Sequence, residues 1–258
     1  MATDEPVIRI RDLVTRIGSN LIHDHIDLDV YRGEVIAIVG GSGSGKSVLL
    51  RSIVGLMRPN SGTVEVLGQD VLAMNENDMR YLQMRWGVLF QDGALFSSQT
   101  VAENVQVPLR EYTSMPQALM NEIAAMKLSM VGLDADAASK QPSELSGGMK
   151  KRASLARALV LDPEIVFLDE PTAGLDPIAA NNFDELIRRL QKSLNLTVFM
   201  VTHDLDTLRA VADRVAVLVN RKLKVGTIET LRKDPDPWMQ EYFSGPRGRA
   251  ALSAGTGT

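Results

Sequence analysis

Gly40, Gly45, Lys46 and Ser47 stand at the spacing G-x-x-x-x-G-K-[ST], a pattern that wraps phosphate oxygens. Glycines let consecutive backbone N–H groups turn inward around an anion. The run Gly40-Gly41-Ser42-Gly43-Ser44-Gly45 is therefore a candidate phosphate cradle, with Val48 just beyond it. Lys46 has the reach for β- and γ-phosphates, and the Ser47 hydroxyl suits Mg²⁺. A second pair, Asp169-Glu170, ends the apolar run Ile165-Val166-Phe167-Leu168. Asp169 can accept from Mg²⁺-bound water, and Glu170 is placed to act as general base on an attacking water. A third set, Leu145-Ser146-Gly147-Gly148-Met149, puts two glycines before a helical stretch. It reads as another anion-binding helix N-terminus. One nucleotide does not need two cradles in one chain, so this one is expected to serve ATP held by a second chain. Taken alone, the set could be a helix cap with Ser146 as N-cap.

These residues need strands that end, and helices that begin, at the chemistry. Residues 35–39 form a short β-branched run, expected to be a buried strand leading into the cradle, with a helix over 48–55. Residues 7–10 and 26–30 alternate apolar and polar, which predicts an antiparallel layer ahead of that strand. A turn over 58–62 precedes a strand at 63–67. Residues 88–90 form a strand that delivers Gln91. Helical periodicity covers 101–107 and 117–131, where Met115, Met120, Met126 and Met130 read as flexible core filler. An Ala-, Arg- and Leu-rich helix spans 150–161 and ends at Asp162-Pro163. A helix at 178–194 and a strand at 197–201 follow, the strand running into Thr202-His203-Asp204. Residues 213–219 and 222–225 suggest a hairpin, although Asn220-Arg221 is not a preferred turn pair. Residues 245–258 are rich in Gly, Ala, Ser and Thr and read as a flexible tail.

Composition bounds the rest. The chain has 258 residues, 45% of them hydrophobic, and a net charge of −4. It can bury a core, and the acidic balance argues against a nucleic-acid footprint. No apolar run approaches the ~18 residues of a membrane span. The first six residues carry two acids and no apolar core, unlike a signal peptide. With no cysteine, disulfide frameworks and thiolate metal sites are excluded, and a reducing, cytoplasmic setting is expected.

In family order, these motifs resemble the ATPase subunit of ABC transporters over about residues 7–230. They comprise the P-loop at 40–47, the Q-loop Gln91, the signature at 145–149, Walker B at 165–170, the D-loop Ala173-Gly174-Leu175-Asp176 and the switch His203. The resemblance implies an α/β fold: a P-loop NTPase core with an antiparallel β-subdomain and an inserted helical subdomain. As a single domain it would span 1–244, with the core over 1–92 and 160–244 and the helical part over about 93–159. It implies ATP and Mg²⁺, the metal held by Ser47, Gln91 and Asp169 directly or through water. Glu170 would activate water, His203 would sense the γ-phosphate, and Lys46 with the cradle amides would bind phosphates. It further implies a head-to-tail dimer in which Ser146 and Gly148 of one chain complete the site of the other.

Phe90-Gln91-Asp92-Gly93-Ala94-Leu95-Phe96, then Val101-Ala102-Glu103-Asn104-Val105 and Pro108-Leu109-Arg110-Glu111, look like the ATPases that work with MCE-domain lipid transporters, the Mla type above all. Met149 in place of the usual glutamine and Asp234-Pro235-Asp236-Pro237 suit that subgroup. This implies a permease, MCE-domain and small cytoplasmic accessory subunits, and a place on the cytoplasmic face of a bacterial inner membrane. Family members usually carry an adenine-stacking aromatic where Thr15-Arg16-Ile17-Gly18 stands here. Ile17 can offer an apolar contact instead, and Arg16 a guanidinium plane. The rival readings are an ABC ATPase for another cargo, a non-transport ABC ATPase, and a nucleotide-binding module without turnover. The space between Gln91 and Ser146 is too short for a repair-type coiled coil. The chain carries one cassette, not the two of the translation type. Glu170 and His203 speak against a module without turnover.

Overall fold

A computed structural model describes residues 5–244. They form two compact units. One comprises the described residues up to Met74 and those from Phe199 onward; the other is Asn75–Val198.

The first unit opens with β1 (Pro6–Ile17) and β2 (Asn20–Tyr31), which pair antiparallel. β1 is longer than the alternation at 7–10 predicts. Ile17 lies opposite Asn20, so the turn shrinks to Gly18 and Ser19, and Thr15, Arg16 and Ile17 belong to the strand rather than to a turn. β3 (Val35–Val39) is buried throughout, as its unbroken apolar run requires. α1 (Lys46–Ile53) begins two residues before the expected start, which puts Lys46 and Ser47 in its first turn. β4 (Ser61–Val66) and β5 (Gln69–Asp70) complete a sheet ordered β2-β1-β4-β5. β4 starts at Ser61, inside the expected turn. Gly62, at φ +95°, passes so close to β1 that a Cβ would lie 2.6 Å from the Asp12 carbonyl oxygen.

The second unit begins with α2 (Glu76–Gln83), a short helix that the periodicity does not reveal. β6 (Trp86–Leu89) runs parallel to β7 (Ile165–Asp169), and β7 also neighbours the start of β8 (Thr197–Val201). Between them lie α3 (Val101–Tyr112), α4 (Gln117–Met130) and α5 (Gly147–Ala158). α3 runs past the expected end at 107 and through Pro108. Its buried stripe Val101, Val105 and Leu109 straddles the proline, so packing outweighs the ~3 kcal/mol propensity cost. Thr100 and Glu103 form a capping box at its start. Of the four methionines read as core filler, only Met120 is buried; Met126 is 52% exposed, and Met115 and Met130 are half-buried. α6 (Pro177–Leu194) follows β7.

The chain then returns to the first unit through α7 (Leu205–Val211), β9 (Arg214–Val219), β10 (Lys222–Gly226), α8 (Ile228–Leu231) and α9 (Pro237–Ser244). In this unit the strand order runs β10-β9-β3-β8, with β9 parallel to β3. The expected hairpin forms despite its unusual turn pair. Asn220 and Arg221 both take left-handed backbone, φ 51° and 66°, as a type I′ turn demands. Ala37 and Val39 of β3 and Val215 and Val217 of β9 pack with Leu208, Met239 and Phe243. The sequence pattern does not reveal α7, α8 or α9. The tail read at 245–258 lies outside the described residues.

Candidate functional site

The cradle begins where β3 ends. Gly40 is buried, and a Cβ there would lie 2.5 Å from the Leu218 carbonyl oxygen. Gly43 and Gly45 take φ +74° and +107°, and a Cβ on Gly45 would lie 2.5 Å from Ile22 Cγ2. Glycine is therefore needed for space at 40, for conformation at 43 and for both at 45. Gly45 is the N-cap of α1 and gives no side-chain cap, and the first turn holds no acid. The N–H groups there remain suited to an anion. The Ser44 hydroxyl is buried with no hydrogen-bond partner, an orphan that a phosphate oxygen would satisfy. Lys46 arches back over the loop and donates from Nζ to the carbonyls of Gly40 (2.9 Å) and Gly41 (3.1 Å). Ser42 and Gly43 are exposed, while Ser47 and Val48 are half-buried in the helix start.

Two more predicted residues, Arg16 and Ile17, are exposed at the end of β1. The Arg16 amide donates to Asn60 Oδ1 at 2.6 Å, and Ile17 is 46% exposed. His203 is exposed between β8 and α7. Its neighbours hold it: the Thr202 amide donates to the Ile38 carbonyl at 3.1 Å, and Asp204 caps α7 by accepting from the Asp206 amide at 2.8 Å.

Sequence reasoning missed His23, which lies on β2 directly under the cradle. It is fully buried, with Nε2 3.1 Å from the Gly45 carbonyl oxygen and Nδ1 without a partner. Burial pushes its pKa below the ordinary 6.5, against the upward pull of the Gly45 contact. A lone histidine in an alternating strand carries no pattern that would single it out.

The second unit brings together Gln91, Asp169 and Glu170. Asp169 closes β7 and is only 4% exposed, and Glu170 follows in left-handed backbone at φ 49°. Gln91 is exposed past the end of β6. What joins them is Lys151 on α5, also missed. Its ammonium donates to the Gln91 carbonyl and, at 3.0 Å, to the Glu170 carbonyl. Burial lowers the Lys151 pKa, and the charges of Asp92, Glu170 and Asp169 pull it back up. In sequence, Lys150-Lys151-Arg152 looks like a solvated helix face, which hides a 6% exposed lysine.

In the same unit, Ser146 is the N-cap of α5, its Oγ accepting from the Met149 amide at 3.3 Å. Gly147 and Gly148 form the first turn of that helix rather than preceding it. A Cβ on Gly148 would meet nothing within 4 Å, so the glycine keeps an open surface there. Leu145 is buried. Asp176 caps α6, accepting from the amides of Ile178 (3.1 Å) and Ala179 (3.0 Å).

Among the described residues no cluster of three or more His, Asp or Glu is set to hold a metal ion. Mg²⁺ does not ask for one, since it binds through one or two carboxylates plus substrate phosphates. Ser47 in the first unit, and Gln91 and Asp169 in the second, each carry an oxygen donor of the kind Mg²⁺ takes. No helix among the described residues is long and apolar enough to cross a membrane.

Residues 23–173 match the family model of the ABC transporter. The chain is 39% identical to the intermembrane phospholipid transport system ATP-binding protein MlaF of Haemophilus influenzae, over 94% of this chain and 92% of that protein. MlaF of Escherichia coli K12 is also 39% identical, over 93% and 89%. So is the probable ribonucleotide transport ATP-binding protein mkl of Mycobacterium leprae, over 93% of this chain but 69% of that protein. Among solved structures, the dimeric post-hydrolysis state of the ATP-binding cassette MJ0796 bound to ADP and Pi superposes with a TM-score of 0.78 at 28% identity, over 85% of this chain and 98% of that one. The cbiO1 protein of Clostridium perfringens, part of an ABC transporter complex, gives 0.80 at 26%, over 98% and 96%.

Proposed function

We propose that this chain, which belongs to the ABC transporter ATP-binding family, is the ATP-hydrolysing motor subunit of a bacterial inner-membrane transporter that moves phospholipids between inner and outer membranes. The observation that carries the ATPase reading is the cradle, with glycines at each crowded or left-handed position, an orphaned Ser44 hydroxyl and Lys46 folded over it. The cargo rests on likeness. The MlaF proteins match along nearly their whole length, whereas mkl, named for ribonucleotide transport, is matched over 69%.

In this reading the amides of residues 40–47 and Lys46 bind the phosphates of ATP. Ser47, Gln91 and Asp169 would hold Mg²⁺, which would supply positive charge to the phosphates. Glu170 takes a proton from the attacking water, and His203 contacts the γ-phosphate. Fixed charge and positioning do most of the work in phosphoryl transfer. Ser146, Gly147, Gly148 and Met149 of one copy face the ATP of another, with Asp176 beside the dimer seam. The open space over Gly148 supports that role, because a partner's nucleotide needs room there. The exposed Arg16 and Ile17 flank the base.

A permease receives the ATPase at the inner membrane's cytoplasmic face, with MCE-domain and small accessory subunits completing the complex. The exposed Phe96, five residues after Gln91, supplies apolar surface for that contact. The test is ATP-dependent phospholipid movement by the purified complex, wild type against Glu170→Gln. Movement that depends on ATP and is lost in the variant supports the proposal.

A further inference from the structure

α9 touches two parts of the first unit at once. Its core face, Met239 and Phe243, is buried against β3 and β9. Its entry is tied to the β9–β10 hairpin, because Lys224 donates to Asp234 at 2.8 Å and Asn220 to Asp236 at 3.3 Å. Asp236 also accepts from the Trp238 amide at 2.9 Å, fixing the first turn. From this anchored helix two aromatic side chains project together. Trp238 and Tyr242 stack with ring centroids 4.8 Å apart and planes 13° from parallel. The indole Nε1 of Trp238 lies 3.5 Å from where a Cβ on Gly41 would be. The Tyr242 hydroxyl donates to the His203 carbonyl at 3.1 Å. One stacked aromatic pair thus lies beside the phosphate cradle at one end and hydrogen-bonds the His203 backbone at the other.

We propose that Trp238 and Tyr242 are positioning residues for ATP hydrolysis: the stacked pair sets the backbone of His203 relative to the cradle at Gly41. The proposal rests on the reading of His203 as the γ-phosphate contact. Simple packing needs no phenolic hydroxyl at 242, since phenylalanine would fill the same space. The hydroxyl donates to a carbonyl that belongs to the residue the reaction uses.

The experiment is steady-state phosphate release by the assembled complex, normalised to bound ATP sites, for wild type, Tyr242→Phe, Trp238→Phe, Trp238→Ala and His203→Ala. A neutral hydrogen bond typically contributes enough to change a rate about three- to tenfold. Tyr242→Phe should lower kcat by about that factor, leaving KM for ATP and the unfolding temperature near wild type. Trp238→Phe keeps a stacked ring but removes the indole Nε1 beside Gly41, and should lower kcat less than Trp238→Ala does. Trp238→Ala should lower kcat by at least as much as Tyr242→Phe; if it fails to fold, Tyr242→Phe still decides. An inactive His203→Ala beside an unimpaired Tyr242→Phe overturns the proposal while leaving the reading of His203 intact. Full turnover in His203→Ala overturns both.

Discussion

Replacing Lys151 with methionine removes the charge that ties Gln91 to Glu170 while keeping most of the side-chain volume. Lys151 is 6% exposed, and its ammonium donates to both backbone carbonyls. Hydrogen bonds from a charged donor contribute about 1.5–3 kcal/mol each. The left-handed backbone of Glu170, φ 49°, costs about 1–3 kcal/mol and persists only where its surroundings hold it. Losing the bond at Glu170 lets that residue relax away from its working position. At 1.36 kcal/mol per tenfold, the loss corresponds to about 10- to 150-fold in kcat. Stability should move much less, because methionine also removes the desolvation penalty of a buried ammonium, which offsets part of the lost bonding. The assay is single-turnover phosphate release at saturating ATP, with nucleotide affinity and thermal unfolding measured on the same preparation. Lys151→Arg keeps charge and donors and should recover part of the rate. A Lys151→Met protein with wild-type kcat, or one altered only in ATP affinity, would refute the positioning role.

His23 makes stability depend on pH in a stated direction. Burial holds its folded pKa below 6.5, so below that value the unfolded chain binds the proton more readily, and stability present above pH 6.5 is lost as the pH falls. Thermal unfolding between pH 7 and pH 5 should fall more steeply for wild type than for His23→Leu; equal slopes would dismiss the linkage. His25, whose pKa is raised by Asp12, is common to both proteins and cancels. The end of β1, Thr15-Arg16-Ile17, carries no aromatic side chain to stack on a base. ATP and GTP should therefore compete within about tenfold, about 1.4 kcal/mol, and Arg16→Ala should weaken both. A strong ATP preference that Arg16→Ala leaves untouched would place base recognition elsewhere.

The glycine spacing is legible in sequence because three of the glycines answer a local demand: left-handed backbone at Gly43 and Gly45, crowding at Gly40. Asp169 and Glu170 are legible because an apolar run ends on them. Lys151 is not, since nothing in its own helix distinguishes it from Lys150; only the carbonyls of Gln91 and Glu170, 60 and 19 residues away, give it a role. The start of α5 shows a related limit. Glycines beside Ser146 read as a loop before a helix, yet the Ser146 cap draws both into the first turn. α7, α8 and α9 span only 7, 4 and 8 residues, too few for periodicity to stand out, so the contacts of Trp238 and Tyr242 required coordinates. The Asn220-Arg221 turn formed against preference because β9 and β10 pair on both sides of it.

The most direct test of the account uses the complex that co-purifies with this chain from detergent-solubilised membranes, rebuilt into vesicles with a fluorescent phospholipid. Transfer of that lipid to acceptor vesicles or to a purified lipid-binding partner is followed with ATP, with ADP, and with Glu170→Gln plus ATP. The account predicts transfer with ATP alone and a loss of about 10²–10⁴-fold in the variant, the usual cost of removing a general base, with ATP still bound. Transfer that proceeds equally in all three, or ATP turnover in the variant within a few-fold of wild type, would contradict it.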